Sequence, residues 1–135
     1  MDKRLYIIER HHRRMSAILQ DARPLLSSPA ASVDHAGLGY LRNELVDALV
    51  SYRRFVQEDI CLSPIGGGPD GRSDATELKT TCAEIESAYQ RFRERWIYRQ
   101  VPDNWSEYRL SAQVMMKQIK TAIDKSASLK TRWSL

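Results

Sequence analysis

Apolar residues recur at steps of three and four along most of this chain, and no run alternates at period two for long enough to argue a strand. Leu5, Ile8, His12, Met15, Leu19, Ala22 and Leu26 share one helical face and predict a helix from about Asp2 to Leu26. Pro24 falls in its last turn, where it thins the hydrogen-bond ladder, and Ser27, Ser28 and Pro29 end it. A second helix opens near Ser32 or Asp34, both good N-caps, and is expected to run to about Leu62. Its stripe is Leu38, Leu41, Leu45, Ala48, Tyr52, Phe55, Asp59 and Leu62, widened by Leu49 and Val56.

The tract IGGGPDGRSD separates the front and back halves. It lacks the GK[ST] and the preceding strand of a phosphate-cradling loop, so it reads as a flexible connection with no ligand. A third helix is expected after Asp74, with Glu77 three residues on as in a capping box and a stripe of Leu78, Cys82, Ile85, Tyr89, Phe92 and Trp96. Asn104 and Glu107 repeat that signature before a fourth stripe, Trp105, Tyr108, Ala112, Met115, Ile119, Ala122, Ser126 and Leu129. Four helices with one apolar face each bury those faces by packing together. The expectation is therefore an all-α, up-down-up-down four-helix bundle in a single domain, 1–135.

Length and composition fit that picture. A chain of 135 residues can bury one core, and no apolar run approaches the roughly 18 residues of a membrane span. The start, MDKRLYIIERHH, returns to charge after a few apolar residues and lacks the apolar region of a secretory signal, so a cytoplasmic address and no membrane partner are expected. Cys61 and Cys82 form no CxxC pair and are read as reduced residues in or near the core. Charge is uneven: residues 1–86 hold 11 Lys/Arg against 13 Asp/Glu, and residues 87–135 hold 10 against 4. The segment QRFRERWIYR interleaves arginine with aromatics, yet Phe92 and Trp96 belong to the core stripe, so nucleic acid is not the expected partner.

Chemistry, if any, belongs to the polar residues on or beside the stripes, because burying a polar group needs a partner. These are His11 and His12 on the first helix, Arg54, Glu58 and Asp59 on the second, and Ser126 on the fourth. No GxSxG turn frames a serine, and a buried Cys82 away from positive charge is inert, so no hydrolase or thiol enzyme is expected.

The second helix and its ending, LVSYRRFVQEDICLSP, with YQRFRERW and NWSEYRLSAQVMMKQIKTAIDKSASL behind it, resembles the hemerythrin-like (HHE cation-binding) domain in helix order and length. The EDICLSP ending and the tryptophans Trp96 and Trp105 carry most of the likeness. The resemblance implies a helical bundle whose metal ligands come from all four helices. Carried over, that family's second-helix His falls on Arg54, its Glu on Glu58, its final-helix Glu on Ser126 and its Tyr before Pro on Ser63; its first-helix His is His11 or His12.

All three histidines, His11, His12 and His35, precede residue 36, so a family-type di-iron centre is not expected, and Arg54, Glu58 and Ser126 mark a vestigial site. Arg54 and Glu58, four residues apart on one face, leave two readings open: an ion pair that stands in for the cation, or two side chains that merely face solvent on the bundle's edge. The resulting expectation is a non-catalytic, metal-free, hemerythrin-like protein without cofactor, acting as an interaction or regulatory protein with an unknown protein partner and with a homodimer as a further option. The alternative is a residual metal-binding or oxygen- or redox-sensing protein, holding iron or another divalent metal weakly through His11 or His12 with Glu58 and other carboxylates. Tyr6, Ile7, Ile97 and Trp133 lie off the stripes and suggest an apolar association surface.

Overall fold

A computed structural model describes residues 2–65 and 68–129, and these form four long helices: α1 (Lys3–Leu26), α2 (His35–Phe55), α3 (Gly68–Trp96) and α4 (Trp105–Lys125). No strand occurs among the described residues, and none of their helices is long and apolar enough to cross a membrane. Asp2 caps α1, accepting from the Arg4 amide at 2.9 Å, and Asp34 caps α2, accepting from Gly37 at 2.8 Å. Each satisfies an amide that the first turn leaves without a helical partner.

The bundle is assembled from two pairs, α1 on α2 and α3 on α4, joined through α2 with α3 and α1 with α4. Ile8, Tyr52, Ile85 and Ile119, one from each helix, are wholly buried where the four faces meet. Removing an isoleucine side chain of this kind from water contributes about 1.5–3 kcal/mol. Polar tips tie the ends. The Trp105 indole donates to the Ser28 carbonyl at 3.0 Å, and the Trp96 indole donates to Ser111 Oγ at 3.0 Å. Around them Tyr108 stacks on Trp105 and meets Phe92 and Trp96, while its hydroxyl accepts from Arg42 at 2.7 Å. At the opposite end Arg4 donates to the carbonyls of Asp59 and Ser63, fastening the start of α1 to the chain beyond α2.

Three sequence expectations need correction. The first concerns the end of the second helix, where Val56–Ile60 forms a π-helical turn closed by the Cys61 amide donating to the Val56 carbonyl at 2.9 Å. A π turn holds one residue more than an α turn, so the buried face shifts by one position. Ile60 is buried in place of Asp59, which is exposed, and Leu62 is 79 % exposed.

The second is the start of α3. Gly66 and Gly67 lie outside the described residues, but the rest of the tract is helical from Gly68, so Asp74 and Glu77 lie inside the helix and do not cap it. Pro69 and Asp70 occupy the first turn, where a missing amide is harmless and a carboxylate suits the helix dipole. Gly71 and Ala75 are buried there, and α3 packs against the π turn, which offsets the cost of helical glycine.

The third is the second capping box. Asn104 precedes α4 without a side-chain cap: its amide donates to the Gln100 carbonyl at 2.8 Å, while Glu107 accepts from Arg99 at 2.8 Å.

Candidate functional site

The inward face of α1 carries His12, and the facing position of α2 carries Tyr52. His12 is 3 % exposed, and its Nε2 lies 2.9 Å from the Tyr52 hydroxyl with the two rings edge to face. Burial pushes the Tyr52 phenol well above its ordinary range, so it stays protonated at any physiological pH. His11, one residue earlier, is half-buried and lies against Tyr52 and Phe55 at ring separations of 5.6 and 5.4 Å. Burial, then the charges of Arg14 and Arg10, lower the pKa of its imidazole.

From α3, Cys82 faces the same interior. Its thiol donates to Glu86 Oε1 at 3.6 Å, and Glu86 Oε2 in turn accepts from Arg53 at 3.0 Å. Burial, reinforced by the Glu86 charge and hydrogen bond, pushes the Cys82 thiol up to about 12. A thiol so held is not a nucleophile near neutrality. Cys61, half-buried, makes a long contact to the Ala75 carbonyl at 3.9 Å. Ser126, buried at the end of α4, donates to the Ile123 carbonyl at 2.6 Å. No buried side-chain nitrogen or oxygen among the described residues lacks a hydrogen-bond partner.

The residues singled out from the sequence are thus divided. His12 and Ser126 are buried, His11 is half-buried, and Arg54, Glu58 and Asp59 are exposed. Of the two readings of Arg54 and Glu58, the ion pair is not formed among the described residues: Arg54 lies in the last turn of α2, Glu58 in the π turn beyond it, and both residues are exposed. Arg53, its neighbour, makes the bridge to α3 instead. Among the described residues no three His, Cys, Asp or Glu side chains come together as metal ligands, so His11, His12 and Glu58 do not supply the donor set of a di-metal centre.

The expected apolar association cluster is also divided. Ile7 packs against the core, while Tyr6 and Ile97 are exposed at opposite ends of the bundle, and Trp133 lies outside the described residues. Phe92 and Trp96 are buried, with the Arg95 and Arg99 guanidiniums 5.7 and 4.6 Å from the Trp96 ring.

Two further features have a signal in the sequence. Tyr52 lies on the stripe of α2, and a buried phenol needs a partner for its hydroxyl. The run Arg10, His11, His12, Arg13, Arg14 concentrates three guanidiniums beside its histidines within five residues. Compared with protein-family models, curated proteins and solved structures, the chain matches none.

Proposed function

We propose that this chain is a non-catalytic, metal-free bundle of hemerythrin-like, up-down-up-down design that acts as an interaction or regulatory protein. The observation that carries this reading is the hydrogen bond between His12 and Tyr52. It engages the one fully buried imidazole with a phenol that burial keeps protonated, which is a structural use of both groups. Two further inward polar groups, Cys82 and Ser126, likewise donate their hydrogens to Glu86 and the Ile123 carbonyl. What the protein does for its partners then falls to its surface.

The finer part of the fold reading is supported by which ends meet. The start of α1 is tied to the chain after α2, and the chain after α1 to the start of α4, as an alternating bundle requires.

Elemental analysis of protein purified without a polyhistidine tag, with a visible spectrum alongside, tests the proposal. Clearly substoichiometric iron, manganese and zinc with a featureless visible spectrum is the expected result. Near-stoichiometric metal would overturn it in favour of a metal-binding or redox-sensing protein.

A further inference from the structure

On the outer side of the α1/α2 pair lies a recess of about 610 Å³ lined by Ile7, Arg10, His11, Arg13, Arg14 and Ser51. Residues 7, 10, 11 and 14 follow the three-four spacing that aligns side chains along one helical face, and Arg13 stands at its edge. No carboxylate lines the recess, although acids outside its lining pair with two of its arginines. Asp47 and Glu44 hold Arg14 at 3.1 and 3.5 Å, Glu9 approaches Arg13 at 3.5 Å, and Arg10 has no acidic partner among the described residues. His11 forms part of the wall, held against Tyr52 and Phe55, and the half-buried Ser51 adds a hydroxyl from α2.

We propose that this recess binds a phosphorylated ligand through its phosphate monoester dianion. Three guanidiniums and a hydroxyl offer more donors than a carboxylate can accept, whereas a phosphate presents three oxygens and two charges to bidentate forks. The volume lies within the range of small-molecule sites and leaves room for an organic group over Ile7. The site is independent of the metal-free reading, and elemental analysis does not bear on it.

The test is to titrate the intact protein with inorganic phosphate while recording backbone amide NMR shifts, with sodium chloride at matched ionic strength as the control. Saturable shifts centred on residues 10–14 and on Ser51 are expected. In the Arg10→Gln/Arg13→Gln double variant, whose substitutions fall on exposed side chains, the affinity should drop by about tenfold or more, as loss of charged hydrogen bonds implies. Shifts that chloride reproduces, that fail to saturate, or that persist at full affinity in the double variant would overturn the proposal.

Sedimentation with phosphatidylcholine vesicles doped with phosphatidic acid separates the sources of the ligand. Co-sedimentation abolished by the double variant assigns the dianion to a lipid headgroup. Saturable phosphate binding without co-sedimentation assigns it to a soluble molecule. Each supports recognition of the dianion.

Discussion

His12 Nε2 and the Tyr52 hydroxyl, from positions 40 residues apart in the chain, meet at 2.9 Å in the interior of the bundle. Deleting the hydroxyl with Tyr52→Phe leaves a buried imidazole nitrogen short of a partner and is expected to cost about 1–3 kcal/mol in urea unfolding. His12→Leu combined with Tyr52→Phe should recover part of that loss, with a coupling of about 0.5–3 kcal/mol in the double-mutant cycle. Strictly additive losses would show that the bond contributes nothing specific.

The π turn makes a contrasting prediction about α2. Ile60 is wholly buried, and Ile60→Ala should cost about 2–5 kcal/mol. Deleting the exposed Gln57 removes the extra residue, lets an ordinary α-helix carry Ile60 to the same inward position, and should cost less than that substitution. Comparing the two by denaturant unfolding decides the matter. A deletion as damaging as Ile60→Ala would mean that the widened turn is itself required.

The two cysteines should separate by reactivity. Cys61 is half-buried and Cys82 is buried with its thiol pushed up to about 12, so a thiol-specific reagent at mild alkaline pH should modify one site quickly and the second only on unfolding. An unfolded-state thiol ionises near 9.0, while the folded one keeps its proton to about 12. The unfolded state therefore releases its proton first, and stability should fall as pH rises between those values. Cys82→Ser should flatten that part of the profile, and an unchanged profile would count against the burial assigned to Cys82.

Acid should loosen the start of α1. The Arg4 side chain and amide hold the Asp2 carboxyl down at about 2, from an ordinary 3.8. Because the folded carboxylate resists protonation, its contribution is present above the ordinary value and is lost as pH falls through the folded one. Asp2→Asn should remove this dependence while keeping an N-cap. Unfolding midpoints of both proteins between pH 5 and 2, with their difference closing at the acid end, would show it; a constant difference would not.

How far the sequence could be read follows the reach of the interactions involved. The stripes through Ile8, Met15, Ile85 and Ile119 depend only on helical periodicity, and all four residues are buried. Asp59 and Leu62 leave the buried stripe through the extra residue of the π turn, which nothing local announces, where the chain packs on α3 and is fastened by Arg4. Glycine content concealed the first turns of α3, where burial of Gly71 and Ala75 outweighs propensity. Glu107 looked like a capping residue until Arg99 and Arg95 came within reach of it across a turn of chain. Periodicity puts His12 and Tyr52 on apolar faces, where each polar tip calls for a partner, but that the two meet each other is set by the packing of separate helices.

On the proposed reading, the interior of this bundle uses its polar groups for structure and not for holding a metal. The most direct measurement is thermal unfolding of untagged protein during anaerobic addition of Fe(II), with Mn(II) and Zn(II) as parallel series. A ligand that binds only the folded state raises Tm with its concentration. No such rise is expected in the protein or in His12→Gln. A concentration-dependent rise in Tm that His12→Gln abolishes would contradict that reading.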